Sequence, residues 1–177
     1  MTQVTVRVDV LDPASYEAAI PELAGLLVDA VEGGASINFL AGATPEQTAG
    51  WWRARIDGVR DGRITLFVAR NHEGRIVGTT LLDRSTNPNS PHRAEIGKVI
   101  VRRSARRQGI ATALMRAAEE HARDEGRWML ILDTVTGSAA AALYESLGWQ
   151  KVGTIPGYAL DTAGVPEAAT YYYKDLR

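Results

Sequence analysis

An apolar run of strand type, Val99-Ile100-Val101, passes into a loop carrying Arg102, Arg103, Arg106 and Arg107. It turns at Gly109 and enters a helix with Ile110, Ala113, Leu114, Ala117 and Ala118 at helical spacing. This order constrains the fold more than any other stretch, because it sets a helix N-terminus at the end of a strand and surrounds it with arginines. The first backbone N–H groups of a helix have no partner inside it and lie at the positive end of the macrodipole, so they bind anions. From Gly97 to Ala118 there are six Lys or Arg and no Asp or Glu. The ligand this implies is a multiply charged anion, most simply a pyrophosphate.

Backbone amides close on a phosphate only where no Cβ intervenes, and Gly109 supplies that along with the turn into the helix. The segment Arg106-Arg107-Gln108-Gly109-Ile110-Ala111 has the form R-x-x-G-x-A. It is not a Walker loop, since no Gly-Lys-Ser/Thr follows, and not a dinucleotide fingerprint, which needs further glycines. It resembles the signature Q/R-x-x-G-x-G/A of the GCN5-related N-acetyltransferase (GNAT) family, which also follows a strand and opens a helix. A second segment, Ala141-Ala142-Leu143-Tyr144-Glu145-Ser146-Leu147-Gly148-Trp149, begins 35 residues after Arg106 and is similar to the family's A-x-L-Y-x-x-L-G-aromatic motif. More loosely, Leu132-Asp133-Thr134, Pro156-Gly157-Tyr158-Ala159 and the closing Tyr-Tyr-Lys resemble the branch that includes tabtoxin-resistance acetyltransferases.

The rest of the chain is consistent with one α/β domain over residues 1–177. Val4, Val6, Val8 and Val10 alternate with polar residues as in a half-buried strand. Tyr16, Ile20, Leu23, Leu27 and Ala30 then recur at helical spacing between Asp12, an N-cap, and Gly33-Gly34, with Pro21 expected to break the helix near Ala19 or Ile20. Thr44-Pro45-Glu46-Gln47 is a capping box, opening a helix that carries Trp51, Trp52, Arg55, Ile56 and Val59 to Asp61-Gly62. One of the adjacent tryptophans is expected in the core and its neighbour half exposed.

Strands are expected at residues 64–70, 75–82, 93–101 and 128–135, the last covered on both faces. A helix is expected over 111–125 and an alanine-rich one from Ser138 to Leu147, followed by strands at 149–155 and 170–174. Loops are expected at 83–92 and 156–169. The resulting order β-α-α-β-β-β-α-β-α-β-β is that of the GNAT fold, a mixed central sheet with helices on both faces.

The resemblance implies acetyl-CoA as cosubstrate and a set of site residues. The cofactor pyrophosphate would lie on the turn Arg106, Arg107, Gln108, Gly109, Ile110, Ala111 and Thr112, and the pantetheine would run as a pseudo-strand along Val99, Ile100 and Val101. Many family members carry Asn where this chain has Ser138, which caps its helix but reaches less far. Tyr144 stands where the family's tyrosine protonates the CoA sulfur. Glu95 is read as the base, direct or through water, and Asp133 as substrate anchor or base partner. The alternative for both carboxylates is a strand-end salt bridge, and for Tyr144 plain packing. The Val99 N–H would meet the oxyanion, with Gly97 easing a bulge. Ser36, Asn38, Phe39 and Tyr158 are candidates for the acceptor pocket. His121 is expected to be buried and structural, and His72 and His92 to lie in loops.

Twenty basic and 21 acidic side chains give a net charge of −1, which argues against broad nucleic-acid or membrane-surface binding. The chain has no cysteine and three scattered histidines, so neither a thiol nucleophile nor a metal site is expected. With no long apolar run and no signal-peptide pattern at residues 1–10, a cytoplasmic monomer or homodimer is the simplest expectation. The function implied is transfer of acetyl from acetyl-CoA to the primary amine of a small molecule, with amino-acid-like antibiotics or toxins among the acceptors and resistance among the roles. Acetylation of a protein N-terminus or lysine, or non-catalytic binding of acyl-CoA, are the alternatives.

Overall fold

The computed structural model describes residues 6–177. Val4 of the first expected strand lies outside them. Strands β1 (Arg7–Val10), β2 (Ile64–Arg70), β3 (Ile76–Arg84), β4 (Arg93–Val101), β5 (Met129–Val135), β6 (Gln150–Leu160) and β7 (Pro166–Asp175) form one sheet in the order β1-β2-β3-β4-β5-β7-β6. Every pairing is antiparallel except β4 with β5.

Helices α1 (Pro13–Glu32), α2 (Pro45–Arg53) and α3 (Ile56–Arg60) cover one face of the sheet, and α4 (Ile110–Asp124) and α5 (Ala139–Ser146) the other. Successive residues of β2 point to opposite faces: Leu66 and Val68 pack under Tyr16, Leu23, Leu27 and Trp52, whereas Phe67 and Ala69 pack under Leu114 and Met115. A strand covered on both sides reads as continuous apolar sequence, as β2 does. The GNAT order expected from the sequence is the order observed, with α3 and a 3-10 turn at Arg103–Ala105 added.

Four expectations are corrected. Helix α1 runs unbroken through Pro21. Pro21 is exposed, so the hydrogen bond it cannot make is lost on the solvent side, while the buried stripe of Tyr16, Ile20, Leu23 and Leu27 holds the helix on course. Conversely, the tryptophan-bearing helix breaks into α2 and α3 at Ala54-Arg55, where the Arg55 N–H reaches the Trp52 carbonyl (3.0 Å) and the Arg55 guanidinium donates to the Trp51 carbonyl (2.8 Å). Residues 156–169 are mostly strand, because a register shift between Ile155 and Ala159 takes up Pro156-Gly157 and pairing with β7 resumes beyond it. Strand β5 is fully buried only at Leu130 and Leu132, and its other face is partly open.

Candidate active site

The site begins where the sheet fails to close. Strands β4 and β5 pair at Arg93 with Met129, Ala94 with Leu130 and Glu95 with Ile131, and no further. Beyond Glu95 they splay, so the β5-facing edge of Ile96 to Val101 has no strand partner among the described residues. On its other side β4 carries a bulge: the step from Thr79 to Leu81 on β3 is matched by the longer step from Ile100 to Gly97 on β4. The residue that takes the left-handed conformation there is Lys98 (φ 47°), not Gly97. The Thr79 hydroxyl pins it by donating to the Lys98 carbonyl (2.8 Å), and Thr79 is fully buried. Gly97 itself is not required by the bulge, since a Cβ there would meet nothing within 4 Å.

At the end of β4 the backbone turns through Arg107 (φ 62°) and Gly109 (φ 77°) into α4. No side chain among the described residues caps this helix, so the N–H groups of Ile110, Ala111 and Thr112 have no intrahelical partner. Left-handed residues flanking an uncapped helix start form a concave array of amides suited to phosphate oxygens. The arginines divide. Arg103 is committed to α1, with its N–H and guanidinium on Asp29 (2.8 and 3.1 Å) and a further contact to Glu32 (3.1 Å). Arg106 donates to the Val101 carbonyl (3.2 Å), while Arg107 and Gln108 are exposed beside the helix start. Val99 and Val101 lean on the α4 side of the sheet, and Ile100 is buried in the α1 side.

The splay lets side chains from opposite faces converge. Tyr144 comes from the α5 side, its ring packed near Trp149 and Tyr172 (6.2 and 6.3 Å between centroids). Tyr172 spends its hydroxyl on Glu145 (2.8 Å), but the Tyr144 hydroxyl has no partner among the described residues. Burial, with the Asp133 charge adding to it, pushes its pKa up, so the phenol stays protonated at any ordinary pH. Glu95 and Asp133 approach from the other side, and both keep solvent access. Desolvation by the walls of the splay raises the pKa of each, and Glu95 is raised further by the negative charges of Asp133 and Asp83. Neither carboxylate forms an ion pair among the described residues, so the salt-bridge alternative does not describe them. Glu95 floors a cleft of about 250 Å³ whose lining includes Asp83, Asn87, Arg93 and Ile131.

Along β4 from Glu95 the Lys98 ammonium donates to Asn38 Oδ1 and sits 4.3 Å from the centroid of the Trp51 ring. The Arg55 guanidinium lies 3.2 Å from the same centroid. Desolvation, and then the Arg55 charge, push the Lys98 pKa down to about 8, while Asp133 and Glu95 pull it the other way. Trp51 is held edge-on by Trp52 (4.9 Å), which is fully buried, so one tryptophan is core and its neighbour partly exposed as expected.

The loop between α1 and α2 is tied to the β6–β7 hairpin through Ser36 Oγ to the Leu160 carbonyl (2.9 Å) and the Ala41 N–H to the Thr162 carbonyl (2.8 Å). Of the expected pocket residues, Asn38 reaches Lys98, Phe39 packs against the α1-side core, and Ser36 is used in the tie. Tyr158 hydrogen-bonds Tyr171 (2.6 Å), the residue directly across from Asp133 on β7. Ser138 caps α5 through the Ala141 N–H (3.2 Å). His121 is not buried: it is about a third exposed and contacts Glu125 (3.1 Å) beside the Arg84 guanidinium. Its ring sits at the edge of the apolar face, where Arg84 and Glu125 draw it out. His92 stacks on Trp128 (4.5 Å) at the mouth of β4 and His72 lies exposed in its turn.

The sequence reading passed over Lys98, Trp51, Arg55, Thr79 and Tyr171 as site residues. Trp51 and Arg55 did carry a signal, being four apart on a helical pattern and therefore stacked on one face. Lys98, Thr79 and Tyr171 carried none, because their places depend on a bulge and on strand pairing.

The family model described as "Acetyltransferase (GNAT) family" matches residues 29–149. Human N-acetyltransferase 8 is 45% identical over 62 residues, 34% of this chain but only 27% of the human protein's length. Among solved structures, ribosomal-protein-alanine N-acetyltransferase from Brucella melitensis superposes with a TM-score of 0.73 at 27% identity, covering 96% of this chain and 99% of that one. The yncA protein of Salmonella typhimurium, solved with its cofactor acetyl-CoA, superposes with a TM-score of 0.77 at 17% identity, covering 98% of this chain and 95% of that one.

Proposed function

Because the chain belongs to the acetyltransferase (GNAT) family, we propose that it transfers acetyl from acetyl-CoA to the primary amine of a small molecule, with the residues of the splay in the roles that follow. The carrying observation is the convergence of Tyr144 from one face of the sheet and Glu95 and Asp133 from the other on the gap between β4 and β5. The uncapped N-terminus of α4 with Arg107 and Gly109 fits a pyrophosphate, and the unpartnered edge at Val99 to Val101 fits an extended amide-bearing arm. Bound acetyl-CoA supplies an acetyl thioester, and transfer makes a C–N bond to the acceptor, breaks the C–S bond and leaves CoA as the thiol.

An aliphatic ammonium with a pKa near ~10 is almost wholly protonated at pH 7, and only its neutral form attacks. Glu95, with its raised pKa and open solvent contact, takes that proton directly or through water, and Asp133 holds the ammonium beside it. The Val99 N–H at the bulge faces the developing oxyanion, a contact typically worth ~10²–10³ in rate. Tyr144, protonated and with its hydroxyl unpartnered among the described residues, returns a proton to sulfur.

The Brucella relative favours a second reading, acetylation of a protein N-terminal amine. Against it, the tie from Ser36 and Ala41 to the β6–β7 hairpin closes one end of the acceptor side, which suits a compact acceptor better than an extended peptide. The test is release of CoA thiol from acetyl-CoA across small amines, amino acids and short peptides, with Glu95→Gln and Tyr144→Phe in parallel. Turnover of a compact amine that falls ~10²–10⁴-fold in Glu95→Gln is expected, and turnover of peptides alone would favour the second reading.

A further inference from the structure

The acceptor side holds four charged groups that do not pair with one another. Arg55 and Lys98 form no ion pair among the described residues, and neither do Glu95 and Asp133, yet Lys98 lies within the electrostatic reach of all three others. Here the cations are held in place: both lean on the Trp51 ring, one Arg55 N–H is spent on the Trp51 carbonyl (2.8 Å) and one Lys98 N–H on Asn38. Since a guanidinium has five N–H donors and an ammonium three, most of their donors remain available. Two like charges against one aromatic ring repel, and an anion within reach of both relieves that repulsion.

Resting on the acetyltransferase reading, we propose that Arg55 and Lys98 on Trp51 are an anion subsite for the acceptor. The acceptor is then an amine that also carries an acid group, a zwitterion of amino-acid type whose acid lies on Arg55 and Lys98 while its ammonium faces Glu95 and Asp133. The left-handed bulge at Lys98 is what aims the ammonium inward, and Asn38, itself left-handed (φ 75°), is what holds it there.

The experiment compares the common L-amino acids with their carboxamides and their decarboxylated amines in the thiol-release assay at pH 7. The amide's amine is the weaker base and more of it is neutral, so intrinsic chemistry favours the amide and a preference for the acid reports recognition. A kcat/KM about 10- to 100-fold higher for the preferred acid than for its amide is expected, the scale of a hydrogen bond to a charged group. In Arg55→Gln and Lys98→Met that ratio falls toward one, and in Lys98→Arg and Arg55→Lys most of it returns, with melting curves confirming that each variant is folded. Neutral amines turned over as well as or better than the acids overturn the subsite and leave the acetyltransferase reading intact, as does a preference that survives both charge-removing variants. Thiol release with no compound above the Glu95→Gln background removes the acetyltransferase reading and this inference with it.

Discussion

Thr79→Val tests whether the bulge that shapes the site is held by one buried hydroxyl. The substitution keeps the shape of the side chain and a strand-forming residue, but removes the donor that meets the Lys98 carbonyl at 2.8 Å. Thr79 is fully buried, so no water replaces it easily, and a buried acceptor left without its donor costs about 1–3 kcal/mol. For a domain of this size each kcal/mol moves the melting temperature by about 2–4 °C, so a fall of roughly 2–12 °C is expected. Because the roles proposed for Lys98 and for the Val99 N–H both depend on the bulge, kcat/KM should fall by more than the fraction unfolded at the assay temperature. Lys98→Gly is the companion variant. A non-glycine residue at φ 47° is strained by about 1–3 kcal/mol, so removing the side chain should leave stability unchanged or raised while acid-bearing acceptors lose their advantage. Circular-dichroism melts and thiol-release kinetics on both variants read this out. A Thr79→Val protein that melts with the parent and keeps its kcat/KM would mean that strand pairing alone maintains the bulge, and the reasoning from the hydroxyl would be wrong.

Three other outcomes follow from the charges. The Glu95 pKa is raised in the folded state, so its ionised form costs stability at pH values above the ordinary carboxylate range and the cost vanishes as the group protonates on acidification. Glu95→Gln should therefore melt above the parent at pH 7 and level with it near pH 4, and the acidic limb of the parent's pH–kcat/KM profile should move to lower pH in Asp133→Asn, where a raising charge is gone. On the opposite face, buried Glu119 accepts from Trp149 Nε1 (2.9 Å) and from the Lys174 ammonium (2.7 Å), clamping α4 to β7 and the start of β6. Lys174→Met strands that carboxylate and should cost about 3–5 kcal/mol in chemical denaturation, with Glu119→Leu added to it recovering most of the loss.

The helix start proposed to hold the cofactor's phosphates was legible in the sequence because it is local. A strand, a basic loop, a glycine and an apolar-faced helix occupy consecutive positions from Lys98 to Ala118, and backbone geometry alone turns that order into an uncapped helix start. The motif around Tyr144 and the element order were legible for the same reason, since periodicity and caps act over a few residues. Where local rules misled, packing overruled them. Pro21 breaks helices in isolation but not when four apolar side chains of its own helix are already buried, and Arg55 interrupts a helix whose propensities would let it run on.

The acceptor half belongs to tertiary structure. Arg55 from the break between α2 and α3, Asn38 from the loop before α2, Lys98 from a bulged strand and Asp133 from a strand that parts from its neighbour are up to 95 residues apart in sequence. Their meeting depends on where β4 and β5 stop pairing and on how one extra residue in β4 is accommodated against Thr79. A one-residue change of register turns a side chain to the other face of a sheet, and no local pattern encodes it. The sequence by itself determined a basic, uncapped helix start after a strand, where the polyanion is proposed to sit; the long-range strand pairing decided which charges stand near the gap between β4 and β5 and on which side of the sheet.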